Sequence, residues 1–292
     1  MIKGNRVAVF GGSGFLGSHA SDALTKAGYE VTIFDRIASP WIQDNQKMIV
    51  GDLLDKELIA DVLSKIDIIY HFAGLSDLNS NLEQALSTAK INITGTVQLL
   101  EESKKAKIKR FIYASSMYVN SREGGFYRCS KQACEDYIQE FQKLYDLDFT
   151  ILRFGSLYGP RSNGDNGLFR IMKEAINTGK LKYKGSPDTL REYIHVYDMA
   201  EACVQALKNS FKNEIIVLTG KESLLVKDVL FIIAEILNLD ESNIEFEEGE
   251  YKGHYTRTPY SYKTKLGKKY NPEFSIDLGQ GLLDLINYMK NN

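Results

Sequence analysis

Three cysteines in 292 residues are too few, and odd in number, for a disulfide framework. Cys129, Cys134 and Cys203 lack the paired spacing of a zinc site. The four histidines, His19, His71, His195 and His254, are scattered with no HExxH among them, so no metal site is expected. Thiols kept buried and reduced in a cytoplasmic protein fit this usage. Charge of one sign is also missing: 36 basic against 38 acidic residues leave a formal net charge of -2, with no footprint for nucleic acid or an anionic membrane. The one basic run, Lys104 to Arg110, closes a helical stretch, where cations complement the negative end of the helix dipole. No run of eighteen apolar residues suggests a membrane span, and the first strand begins by about Arg6 without the apolar run of a signal peptide before it.

What is present is an alternation of short apolar runs and helical stretches. Val7-Ala8-Val9-Phe10 is followed by glycines, a helical stretch Ser18 to Lys26, and Gly28. Further strands are expected near 30–34, 48–50, 66–71, 110–114 and 149–153, with helices near 56–64, 82–105 and 127–145. Strands alternating with helices imply parallel pairing by right-handed crossovers, hence an α/β Rossmann-type doubly wound sheet. Residues 1–160 are read as a dinucleotide-binding domain, completed by about 192–222, where Ile215–Leu218 could return as an extra strand. Beyond Gly159-Pro160-Arg161 the sequence turns loop-rich, and 161–292 is read as a smaller C-terminal substrate-binding region.

The glycine cluster Gly11-Gly12-Ser13-Gly14-Phe15-Leu16-Gly17 follows a strand and opens a helix. That context lets backbone approach a pyrophosphate and aims N–H groups at it. Asp35, about 20 residues on, would accept hydrogen bonds from ribose hydroxyls and repel a 2′-phosphate, which favours NAD over NADP. Arg36 beside it tempers that preference.

Among 17 tyrosines only Tyr127 is followed four places later by lysine, Lys131, which puts both side chains on one helix face. Ser115-Ser116 ends the strand before it, where ligands sit in open α/β sheets. An ammonium about 4 Å from a phenol contributes roughly 4 kcal/mol at an effective dielectric near 20. That is about three pKa units, enough to bring a phenol from about 10 to about 7. Tyr127 could then remove a hydroxyl proton as hydride leaves the same carbon, with Ser116 holding that oxygen.

In these residues the chain resembles the extended short-chain dehydrogenase/reductases, within them the NAD-dependent epimerase/dehydratase family acting on nucleotide sugars. The resemblance also includes Gly51-Asp52-Leu53, His71-Phe72-Ala73-Gly74, Asn92-Ile93-Thr94-Gly95-Thr96, Leu152-Arg153, Tyr158-Gly159-Pro160-Arg161 and Arg191-Glu192-Tyr193-Ile194-His195-Val196. It implies catalysis by Ser116, Tyr127 and Lys131. It implies NAD contacts from Gly11, Gly14, Phe15, Leu16, Gly17, Asp35, Arg36, Asp52, Leu53, Phe72, Ala73, Gly74, Ser115, Tyr127 and Lys131. For a nucleotide-diphosphate sugar it implies Ser116, Ser156, Arg161, Arg191 and Arg257, with Arg191 forking onto the diphosphate. His71 and His195 read as structural, and Asn92 as a tie between helix and backbone.

Three departures from the family pattern stand out. Met117-Tyr118 replace the acidic pair of the dehydratases, which argues against 4,6-dehydration. The segment from Ser116 to Tyr127 is short, with Asn120-Ser121 in place of Tyr-Gly. Ser156 stands where many relatives carry asparagine. The expectation is therefore a nucleotide-sugar epimerase working through transient C4 oxidation, with a one-way dehydrogenase or 4-keto-sugar reductase as the alternative. A non-catalytic dinucleotide sensor is disfavoured by retention of Ser116, Tyr127 and Lys131 together. Extra apolar positions on the two helices, Leu86, Ile93, Leu100, Ala133, Tyr137, Ile138 and Phe141, suggest a homodimer.

Overall fold

The computed structural model describes residues 4–76, 84–247, 254, 256, 257 and 259. Seven parallel strands form its main sheet in the order β11-β6-β5-β4-β1-β2-β3. They are β1 (Arg6–Phe10), β2 (Glu30–Asp35), β3 (Lys47–Val50), β4 (Ile68–His71), β5 (Arg110–Ser116), β6 (Phe149–Phe154) and β11 (Glu214–Leu218). The doubly wound expectation is met, and 215–218 does return to the sheet, pairing in register with Ile151–Phe154. Strands buried on both faces read as unbroken apolar runs because neither face meets water.

Alternation along β1 shows how the two faces divide. Ala8 and Phe10 pack with Ile59, Val62 and Leu63 of α2 (Lys56–Leu63), with Leu99 and Leu100, and with Cys134, Ile138 and Phe141 of α4 (Gly125–Tyr145). Val7 and Val9 pack on the other face with Ala20 and Leu24 of α1 (Phe15–Lys26) and with Met199, Ala200 and Cys203 of α6 (Val196–Gln205). The helix α3 runs Ala85–Thr88 and Gly95–Lys105 around a π-helical insert, Ala89–Thr94. Leu82, where this helix was expected to start, lies outside the described residues. Three of the apolar positions expected to be spare are not: Leu100, Ile138 and Phe141 belong to the chain's own core. Leu86 and Tyr137 do face outward.

A separate small core joins α5 (Gly167–Thr178), β8 (Leu181–Lys184) and α7 (Val226–Leu237) through Ala175, Leu181, Val226, Leu230 and Ile233. Short pairings complete this part: β7 (Ser156–Tyr158) with β10 (Tyr193–His195), β9 (Leu190–Arg191) with β12 (Leu224–Leu225), and β8 with β13 (Ile244–Glu247). Among the described residues no helix is long and apolar enough to cross a membrane.

The amino ends of the central strands are tied by one carboxylate. Asp67, just before β4, accepts from Arg6 Nε at 2.9 Å and from Lys109 Nζ at 2.8 Å, so β1, β4 and β5 share one anchor. Hydrogen bonding from Arg6 holds its carboxyl well below the usual carboxylate range against the opposing effect of burial. A depressed carboxyl pKa contributes stability that is present above the unfolded value of about 4 and lost as pH falls below it. Asp67→Asn is expected to lower unfolding stability by about 1–3 kcal/mol at pH 7. In urea titrations the gap to the parent should close as pH falls from about 4.

Candidate active site

The strand order reverses between β1 and β4, and the carboxyl ends of these strands meet there, the place where open α/β sheets hold ligands. Gly11 has φ of 80°, and a Cβ there would lie 2.5 Å from the Ala73 nitrogen; at Gly17 it would lie 2.2 Å from the Gly11 carbonyl oxygen. Only glycine allows the turn to fold this tightly against β4 and into α1. Gly14 caps that 12-residue helix, with no acidic side chain in the first turn to neutralise its positive end, and Phe15 and Leu16 pack on the core. Asp35 ends β2 and accepts the Ser13 N–H at 3.0 Å, which seats its carboxylate against the glycine turn. Arg36 beside it is exposed.

The neighbouring strand ends continue this groove. Asp52 accepts the Leu54 N–H at 2.8 Å, and Leu53 is buried against Gly95. Phe72 stacks on Tyr70 with ring centroids 6.3 Å apart, and Ala73 donates its N–H to the Phe10 carbonyl. Gly74 lies against Asn92, whose amide accepts from the Leu75 N–H and donates to the Leu75 carbonyl and Ser130 Oγ. Asn92 is thus the expected tie, placed in the π-helical insert. An open helix N-terminus, a carboxylate at the end of β2 and a trough of small and aromatic residues fit the pyrophosphate, ribose and rings of a dinucleotide.

Beside this groove, β5 delivers two adjacent serines to opposite faces. Ser116 is buried on the face opposite Ser115, accepting the Tyr118 N–H at 3.3 Å. Ser115, expected in the cofactor site, instead donates its hydroxyl to buried Glu135. Alternation of side chains along a strand commits it to the helix-packed face. Lys131 is buried, donates from Nζ to the Ala114 carbonyl at 2.6 Å, and lies 5.7 Å from the centre of the Tyr127 ring. Burial lowers its pKa from 10.5 to about 8. Tyr127 occupies the first turn of α4, where the helix dipole favours an anionic phenolate.

Glu135 was not singled out in the sequence. It sits one further turn along the face that carries Tyr127 and Lys131, and Arg153 grips it from Nε at 3.0 Å and Nη2 at 2.6 Å. Arg153 also donates to Asn120 at 3.3 Å, joining β6, α4 and the loop after β5 in one part-buried network. The signal available was the four-residue spacing Tyr127, Lys131, Glu135 together with an arginine at the end of β6.

A cavity of about 900 Å³ opens on the side of the smaller core. Ser156 and Arg191 line it, as do Tyr118, Glu123, Tyr193 and His254, which sequence reasoning did not propose. Arg161, expected to bind substrate, is turned away: it pairs with Asp22 of α1 at 2.7 Å and stacks on Trp41. Its turn is pinned there because the Pro160 carbonyl bonds His19 at 2.9 Å. Arg257 is exposed and outside the cavity wall, whereas its neighbour Thr256 is part of it. His71 is buried against Thr96 with its pKa lowered by desolvation to about 3, and His195 caps α6, so both serve structure. Cys134 and Cys203 are buried, but Cys129 is exposed because it lies two residues from Tyr127, on the opposite side of α4.

Lys131 carries a stability cost with a definite sign. Its proton is held less tightly in the folded chain than in the unfolded one, so the buried charge destabilises at every pH below about 8. The cost fades between about pH 8 and 10.5. Lys131→Met should therefore stabilise the cofactor-free protein at pH 7 by about 1–3 kcal/mol while abolishing turnover. Urea denaturation should show that advantage shrinking above pH 8.

The model of the NAD dependent epimerase/dehydratase family matches residues 7–219, more than half of the chain. Among solved structures, a UDP-glucose 4-epimerase from Thermotoga maritima with UDP-glucose is 25% identical, covers 88% of this chain and 90% of its own, and superposes with a TM-score of 0.80. A UDP-glucose 4-epimerase from Thermus thermophilus in complex with NAD is 26% identical, with coverage of 88% and 90% and a TM-score of 0.77. A UDP-glucose 4-epimerase from Mycolicibacterium smegmatis is 27% identical over 69% of this chain and 72% of its own. Relatives at similar identity also carry dehydratase and decarboxylase names. The glycine turn on α1, the carboxylate ending β2 and the Ser116, Tyr127, Lys131 cluster thus sit in a chain that belongs to the NAD dependent epimerase/dehydratase family and is an NAD-dependent enzyme.

Proposed function

We propose that the protein is a nucleotide-sugar 4-epimerase that works through transient oxidation at C4 of the sugar. The observation that carries this reading is the buried Lys131 ammonium on the same helix face as Tyr127, with Ser116 at the end of β5. Tyr127 takes the proton of the C4 hydroxyl. Lys131 and the first turn of α4 stabilise the phenolate that prepares it. Ser116 holds the oxygen through both directions of the reaction. NAD, when bound, supplies the acceptor and donor of hydride. Gly11, Gly14, Phe15, Leu16, Gly17, Asp35, Asp52, Leu53, Phe72, Ala73 and Gly74 would hold it. Ser156 and Arg191 would face the nucleotide diphosphate, and the relatives that bind UDP-sugars make a UDP-hexose the first substrate to test.

The test is a panel of UDP-, GDP-, dTDP- and CDP-sugars with product identity read by NMR. An epimer formed without net NADH supports the reading. Net NADH in step with product would instead identify a one-way dehydrogenase. Tyr127→Phe is expected to cut turnover at least 10²-fold with NAD affinity and folding retained. Calorimetry should show NAD binding better than NADP, with Asp35→Ala narrowing the gap; equal affinities in the parent would mean Arg36 overrides the carboxylate.

Assembly belongs to the same proposal. Leu86 is 82% exposed and Tyr137 46%, on the helices α3 and α4, and Leu144 and Tyr145 extend the outward apolar surface of α4. A two-fold homodimer would cover them. Sedimentation at micromolar concentration is expected to report twice the chain mass, and a monomer that persists as concentration rises would refute the dimer.

A further inference from the structure

The mechanism above leaves one pair of proton-handling side chains unused. Tyr118 and His254 both line the cavity, and the Tyr118 hydroxyl lies 2.9 Å from His254 Nδ1. Tyr118 also meets Tyr127 edge-on, with ring centroids 6.3 Å apart. Position 124 is kept to glycine beside it: a Cβ on Gly124, whose φ is 97°, would lie 2.7 Å from the Tyr118 ring. The imidazole is held against the same ring at 73°, and Asn120, two residues on, donates to the Pro259 carbonyl. The loop after β5 is therefore joined to His254 and to Pro259, the first contact being a phenol hydrogen-bonded to an imidazole.

We propose that Tyr118 and His254 form a second acid–base pair, which moves a proton at a sugar carbon next to C4 once C4 is a ketone. This rests on the C4-oxidation reading. A C–H bond beside a carbonyl is acidified because the electron pair left behind spreads onto the carbonyl oxygen. Tyr118 passes its hydroxyl proton to His254 Nδ1, and the phenolate takes the proton from the flanking carbon. The C–H pair becomes the C=C bond of an enolate whose charge rests on O4, within the hydrogen bonds of Tyr127 and Ser116. Return of a proton from Tyr118 restores the ketone, and His254 gives back the one it held. No oxidant or reductant is consumed in this step. Its outcome is exchange of the C3 or C5 hydrogen with solvent, with configuration retained because Tyr118 returns the proton to the face it was taken from.

The experiment incubates the NAD-loaded full chain in D2O with each member of the nucleotide-sugar panel. NMR and mass spectrometry read carbon-bound deuterium, and C4 oxidation is followed through NADH absorbance and the C4 epimer. Deuterium at C3 or C5 of a sugar that undergoes C4 oxidation is expected. The ratio of deuterium gained to sugar oxidised should fall by about tenfold or more in both Tyr118→Phe and His254→Gln, in line with the usual contribution of a general base. Taking the ratio removes any loss of folded or loaded enzyme from the comparison. C4 oxidation without deuterium at either carbon, or with a ratio unchanged in Tyr118→Phe, overturns this proposal alone. Loss with Glu123→Gln but not with Tyr118→Phe assigns the base to Glu123 and also overturns it. A panel in which no sugar is oxidised at C4 overturns the underlying reading and this proposal with it.

Discussion

Holding the ammonium of Lys131 out of water at the carboxyl end of β5 is the constraint around which the candidate site is arranged. Its lowered pKa records what that burial costs. One strong hydrogen bond, to the Ala114 carbonyl at 2.6 Å, and the face of Tyr113 at 4.5 Å offset part of it. The nearby Glu135 carboxylate also favours the charge, and the ring one turn back on the same helix face is Tyr127. Under the proposed reaction the charge stands where a Tyr127 phenolate would form, since an ammonium near a phenol favours its anionic state.

The rest of the sheet divides labour between its two ends. At the amino ends, Asp67 with Arg6 and Lys109 gathers three central strands into an ion cluster with ordinary stabilising sense. At the carboxyl ends the polar groups are arranged otherwise: Asp35 is held by the glycine turn, Ser116 accepts the Tyr118 N–H, and the first turn of α1 keeps its positive end free of side-chain acids. Glu135 and Arg153 connect these demands. Their ion pair neutralises a buried carboxylate, fixes Ser115 away from the groove, and reaches through Asn120 to the loop that carries Tyr118.

Local chemistry makes much of this legible in the amino-acid sequence itself. The doubly wound sheet follows from apolar runs alternating with helical stretches, and the glycine turn and the Tyr127–Lys131 spacing each state their geometry within a few residues. What sequence could not reach depends on contacts across long separations. Arg161 was expected at the substrate by resemblance to the family, but Asp22 lies 139 positions away in the chain and captures it. Ser115 and Ser116 are indistinguishable in composition, and only the phase of β5 against α4 sends one inward. Leu100, Ile138 and Phe141 looked spare because a helix beside a wide sheet buries a broader stripe than periodicity alone suggests.

The cavity wall shows the same limit in its most consequential form. Tyr118 reads in sequence as the loss of an acidic side chain, and His254 as an isolated histidine 136 positions away. Brought together, they form a hydrogen-bonded pair that shares its aromatic edge with Tyr127. The short loop from Ser116 to Tyr127 makes this possible, because the left-handed glycine at 124, having no Cβ, lets the chain pass close against the ring of Tyr118. A shortening that looked like a departure from the family pattern is, in the folded chain, what presses a second phenol against the first.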